Sequence, residues 1–123
     1  MLNHIGITIN DASEIKDFYQ DIIGMEIVNQ FTINENLSKQ IFEIDRETDV
    51  YLMQKDDLIF ELFINENSDF RSYNHICINV HSRSNLIKRA ENNNYTCIII
   101  PRENFDLIFI KDKLGNIFEV KKK

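Results

Sequence analysis

Two short stretches of the chain alternate apolar with polar or small residues in almost the same order: NHIGITI at Asn3–Ile9 and NHICINV at Asn74–Val80. On an extended backbone Ile5, Ile7 and Ile9 share one face, with His4, Gly6 and Thr8 on the other. In the second stretch Ile76, Ile78 and Val80 oppose His75, Cys77 and Asn79. A helical spacing follows each strand. Ile15, Phe18, Tyr19, Ile22 and Ile23 fall three or four apart, with Asp11 or Ser13 as the expected cap and Gly24 as the expected left-handed stop. Leu86, Ile87 and Ala90 form a shorter stripe behind Ser82 or Ser84, and an asparagine run ends it.

Apolar runs bounded by polar turns predict the remaining strands. In the first half these are Glu26–Ile33, Asp49–Gln54 and Leu58–Ile64, the last two joined across Lys55-Asp56-Asp57. In the second half they are Tyr95–Pro101, Asp106–Ile110 and Asn116–Lys121. Leu37–Asp45 fits either a further strand or an ordered loop. The chain therefore reads as an α+β fold of two tandem βαβββ modules, 1–64 and 74–123, joined by a linker at 65–73 within a single domain. Each copy is too small to close its own core.

Composition narrows the function classes. A net charge of -6 on 123 residues leaves no basic stripe for nucleic acid. Lys121-Lys122-Lys123 is expected to be a solvated tail. No apolar run reaches the roughly 18–20 residues that span a bilayer, and the first strand begins with no export signal before it. Cys77 and Cys97 lie in apolar strand runs and read as reduced core residues, which points to the cytoplasm.

The ends of the modules also repeat. LIFELF at 58–63 and NIFEVK at 116–121 each carry one carboxylate in mid-strand, Glu61 and Glu119. Alternation sends Phe60 and Leu62, like Phe118 and Val120, to the packed face and the glutamate to the opposite one. A carboxylate among Ile, Phe and Leu is costly to bury ionised without a compensating positive charge. Two neutral imidazoles, His4 and His75, and two carboxylates, Glu61 and Glu119, would neutralise one divalent cation. Mixed nitrogen and oxygen donors suit Ni, Co, Zn, Mn or Fe(II). His81 has no counterpart in the other module and is read as surface.

The segments HIGITINDASEIKDFYQDIIGMEI and FIKDKLGNIFEV resemble the opening and closing patterns of the vicinal oxygen chelate superfamily, the glyoxalase and bleomycin-resistance fold. The closing pattern usually reads D-P-D-G-N, from which Lys113-Leu114 departs. The resemblance covers essentially the whole chain and implies a half-open mixed barrel built from the two modules. Within that superfamily, the set His4, Glu61, His75 and Glu119 is similar to that of bacterial glyoxalase I. This implies one divalent transition metal (Ni, Co or Zn, with Mn or Fe as further candidates). The implied reaction removes a proton next to a carbonyl of a hemithioacetal of methylglyoxal and gives a lactoyl thioester. Glu119 or Glu61 would be the base, and Thr8, Phe63, Cys77 and Asn79 would line the substrate pocket.

Thr8-Ile9-Asn10 lacks the arginine that glutathione-using members carry there, so another thiol or a different carbonyl substrate is open. An epimerase for a coenzyme A thioester and a non-catalytic small-molecule binder are the alternatives. A homodimer is expected because open sheets leave edges to cover. Whether the ligands come from one chain or from two is open.

Overall fold

The computed structural model describes residues 2–123. They divide into two compact units, one reaching to Asp69 and the other Phe70–Lys123, so the boundary falls inside the 65–73 stretch. Each unit carries a four-stranded mixed sheet, and neither sheet is closed.

In the first unit, strand β1 (Ile5–Ile9) is followed by a helix of π type, Ile15–Ile23. Strand β2 (Glu26–Ile33), helix α1 (Glu35–Phe42), strand β3 (Thr48–Lys55) and strand β4 (Leu58–Ile64) complete it. The sheet order is β1-β4-β3-β2, with β1 parallel to β4 and the other pairs antiparallel. The alternation read from the sequence sets what is buried: Ile7, Ile9, Phe60, Leu62 and Met53 all lie at 0–1% exposure. The helix buries Phe18, Tyr19, Ile22 and Ile23, and the Tyr19 ring meets Phe60 edge-on with centroids 6.2 Å apart.

Gly24 ends this helix at φ 86°, in the left-handed region where a side chain is strained. The Lys55 amine donates to the Ile23 carbonyl at 2.7 Å and so satisfies one of the free acceptors of the last turn. Neither expected cap at the helix start is used as such. The Asp11 carboxylate instead accepts from the amide and hydroxyl of Ser13, one turn ahead, and the cap position falls on Glu14, whose side chain makes no capping bond to the helix.

Helix α1 replaces the strand or loop expected at 37–45. Its start lies at Asn34, whose side chain accepts from the Leu37 amide at 3.0 Å, and Glu43 at φ 59° stops it. Leu37 and Ile41, one turn apart, gave the right spacing, but both are exposed, so no buried stripe marked the helix. Asn34→Ala should lower the stability of the first unit by about 1 kcal/mol. An unchanged urea midpoint would show that this cap contributes nothing.

The second unit repeats the scheme with strand β5 (Ile76–Val80), helix α2 (Arg83–Asn92), and strands β6 (Cys97–Ile100), β7 (Leu107–Lys111) and β8 (Ile117–Lys122). Its order, β5-β8-β7-β6, has the same parallel and antiparallel pairs as the first. Ser82 caps α2 through the Asn85 amide at 3.2 Å, while Leu86 and Ala90 are buried under it. Lys121 and Lys122 are not a tail. They belong to β8, which runs on because Val80 pairs with Lys122.

In each unit an outer antiparallel strand exposes apolar side chains: Ile27, Val28 and Phe31 on β2, and Ile98, Ile99 and Ile100 on β6. Among the described residues no helix is long and apolar enough to cross a membrane.

Candidate metal centre

The parallel pair at the edge of each sheet brings a histidine and a glutamate together. In the first unit Gly6 lies opposite Glu61, between β1 and β4. Phe60 and Leu62 are fully buried on the face toward the helix, so the Glu61 side chain emerges on the other face. His4 ends one residue before β1, and its Nε2 lies 2.8 Å from Glu61 Oε1. The other ring nitrogen, Nδ1, lies 2.9 Å from the side-chain oxygen of Asn3.

The second unit repeats this arrangement. Cys77 lies opposite Glu119 between β5 and β8, with Phe118 and Val120 buried behind it. His75 Nε2 is 3.3 Å from Glu119 Oε1, and its Nδ1 lies 2.6 Å from Asn74 Oδ1. The imidazole meets the Phe109 ring edge-on at 6.1 Å, and Lys121 Nζ stands 3.8 Å from Glu119 Oε2.

The glutamate side chains are 18% and 16% exposed, the histidines 41% and 38%. Each pair is thus a carboxylate largely withdrawn from water with an imidazole at the rim.

The remaining expected site residues differ in setting. Thr8 is half-buried and Asn79 exposed. They lie opposite Phe63 and Lys121 respectively, each on the face that carries its unit's glutamate. Phe63 is buried with Ile44 and Val50, and its ring centroid is 4.6 Å from that of Phe42. The first unit therefore has an apolar cluster on the glutamate face, two residues along from Glu61. His81 is exposed, as expected.

Neither cysteine is a core residue. Cys77 is exposed, Cys97 half-buried, and both are free thiols. β5 keeps its alternation and Cys77 falls on the face that does not pack, whereas on the outer strand β6 Cys97 is half-buried and Ile98, Ile99 and Ile100 are exposed. Desolvation, then the neighbouring Glu119, push the Cys77 thiol up, with Lys121 acting against them. Desolvation and Glu91 do the same for Cys97. A thiol whose pKa is raised holds less thiolate, which disfavours a nucleophilic role.

The donor chemistry fits a divalent cation. Each unit offers a neutral nitrogen and an anionic oxygen within about 3 Å of one another, and the carboxylate on that face needs positive charge. Among the described residues, no three His, Cys, Asp or Glu side chains gather in one place; each unit holds one pair.

Asn3 and Asn74 escaped the sequence reading. Their signal was present, since both repeated stretches begin with asparagine, but only the histidine beside it was given a role. Lys121 was likewise assigned to a tail instead of to the neighbourhood of Glu119.

With fold and site described, the class follows. Residues 1–120 match the family model of the Glyoxalase/Bleomycin resistance protein/Dioxygenase superfamily, and the chain belongs to that family.

Solved structures agree on its vicinal oxygen chelate fold. The chain is similar to the glyoxalase family protein from Enterococcus faecalis, with a TM-score of 0.76, 15% identity, and coverage of 98% of this chain and 95% of that one. It is also similar to a variant of the fosfomycin resistance protein FosX from Listeria monocytogenes, complexed with Mn(II) and 1S,2S-dihydroxypropylphosphonic acid. There the TM-score is 0.72 at 17% identity, over 98% of this chain and 88% of that one. A third is the trypanothione-dependent glyoxalase I of Leishmania major, with a TM-score of 0.71 at 17% identity, over 99% and 86% of the two chains. At these identities the likeness establishes the fold. No curated protein matches the chain.

Proposed function

We propose that this chain is a metal-dependent lyase or isomerase of the glyoxalase I type, with His4, Glu61, His75 and Glu119 as the four donors to one divalent transition metal. The observation that carries the reading is the recurrence of the same His–Glu contact, 2.8 Å and 3.3 Å, at equivalent places of two units with the same strand order. A lone His–Glu pair at a strand edge is ordinary. A duplicated pair, each carboxylate backed by a buried aromatic strand, is what supports the proposed ligand set.

The bound ion would polarise a substrate carbonyl and so acidify the neighbouring C–H. The rest falls to the chain. His4 and His75 hold their positions as neutral donors throughout. One of the two carboxylates takes the proton from the carbon and returns it to the adjacent one, as general base and then general acid. Thr8 and Asn79, on the same faces, would orient the substrate's oxygens. The apolar cluster of Phe63, Phe42, Ile44 and Val50 supplies a dry wall beside Glu61. The substrate class is a 2-oxoaldehyde–thiol adduct or a related carbonyl compound.

The experiment is uptake of Ni, Co, Zn and Mn by metal-free protein, followed by turnover of a methylglyoxal hemithioacetal. About one ion per chain, with turnover that follows the ion, is the expected result. No uptake of any of the four overturns the reading.

A further inference from the structure

We infer that helix α1 is a detachable lid on the glutamate face of the first unit, held down by the hydroxyl pair of Ser38 and Thr48. Its bearing on a substrate beside Glu61 rests on the proposed function, whereas the opening itself does not.

Two contacts place α1 on that face. Val50 of β3 lies opposite Phe63 of β4, and Phe63 is two residues along from Glu61, so all three share one side of the sheet. Thr48 comes two residues before Val50 on β3 and is therefore on the same side. The Thr48 hydroxyl meets that of Ser38 at 2.6 Å, and the Phe42 ring lies tilted against Phe63 at 4.6 Å. Ser38 and Phe42 are one turn apart on α1, so the helix is pinned to the face at two points along one edge.

The hold is of a kind that releases. A helix that belongs to a core buries an apolar stripe, but Leu37, Ile41 and Phe42 are all exposed and the buried residue of α1 is Ser38. At eight residues α1 is too short to persist alone in water. Glu43, at its end, sits at φ 59°, a left-handed conformation that strains a residue with a side chain. The buried tie runs from Ser38 through Thr48 Oγ1 to the Arg46 carbonyl. Once α1 lifts, water replaces each of those hydrogen bonds. Segments with few buried apolar contacts open locally, without unfolding the rest. Opening here would bare Phe63 and Val50, the apolar wall beside Glu61. The matching connection of the second unit, between β6 and β7, contains no helix, so the lid belongs to the first unit alone.

Hydrogen exchange of the metal-free protein tests this amide by amide. The amides of 38–44 should exchange as one group, ahead of those in β3 and β4. Thr48→Val leaves the Ser38 hydroxyl buried without its partner and should quicken that group alone, by about tenfold. Ser38→Ala combined with Thr48→Val removes both hydroxyls and should return the group to near its wild-type rate. A Val50→Cys variant, with Cys77 and Cys97 changed to serine, should react with a thiol reagent in step with α1 exchange.

Exchange of α1 no faster than that of β3 and β4 overturns the inference. So does a Thr48→Val acceleration spread evenly over all three elements, because Thr48 then holds the whole unit. A Val50→Cys thiol that reacts only as β3 opens also overturns it, since the helix would fray without uncovering the face. None of these readouts involves a metal. Opening in a protein that takes up no ion overturns the proposed function and leaves the lid standing.

Discussion

Glu61→Gln and Glu119→Gln should separate the proton acceptor from the ligand, and one of them should lower hemithioacetal turnover by about 10²–10⁴-fold. Glutamine keeps the shape of glutamate but cannot take up the proton, and it replaces an anion with a neutral amide. Against His4 Nε2 at 2.8 Å or His75 Nε2 at 3.3 Å it also presents a different hydrogen-bonding group. A variant that holds its metal but loses turnover identifies the base. A variant that loses metal and turnover together identifies a carboxylate whose main work is ligation. The measurement is therefore paired: metal per chain and kcat on the same samples. If both variants keep wild-type metal content and wild-type turnover, the two carboxylates are surface residues and the chemistry lies elsewhere.

Phe60→Ala should destabilise the first unit by about 3–5 kcal/mol. Phe60 is fully buried on β4, a central strand with β1 on one side and β3 on the other, and its ring meets Tyr19 edge-on. Truncation removes the transfer energy of the ring and leaves a hole that the neighbouring Ile5 and Met53 strands cannot close without moving. Against a total stability of 5–15 kcal/mol typical of such proteins, that is enough to unfold part of the population. A urea titration should show a lower midpoint at the same slope. Phe105→Ala is the matched control, since that ring is 57% exposed and its loss should stay within about 0.5 kcal/mol. A Phe60→Ala midpoint equal to the control would mean that the helix does not pack on β4.

Strands were the most legible part of the sequence because alternation survives wherever one face is buried. β2 and β4 begin and end where the pattern predicted, and the βαβββ order of both units could be read before any coordinates. Helix α1 could not. Its apolar residues Leu37, Ile41 and Phe42 are 42–60% exposed, so helical spacing and burial did not coincide there. The strand starts, read at Asn3 and Asn74, were placed two residues too early for a related reason. The period of two continues through Asn3 and Asn74, while the hydrogen-bond ladder stops at Ile5 and Ile76. Of the candidate site, that each unit carries one histidine and one mid-strand glutamate on the same face was legible because duplication supplied an internal comparison; the direct contact between them was not read. The two asparagines were not, because residues adjacent on a predicted strand are expected to face apart.

The parallel pairing of β1 with β4 carries a consequence for how the protein folds. β2, β3 and β4 are antiparallel neighbours, so their hairpins close locally, whereas β1 must wait for β4 before it has an edge to join. Closing that long loop costs entropy that only the finished edge can repay. His4 therefore reaches Glu61 at the end of the first unit's assembly, and β5 with β8 imposes the same delay on His75 and Glu119. An ion added during refolding should leave the folding rate unchanged and slow unfolding, which stopped-flow traces with and without zinc would compare. Acceleration of folding by zinc would mean the pairs form early. On this ordering a bound ion would act as a latch that closes on completed sheets, and not as the seed around which they form.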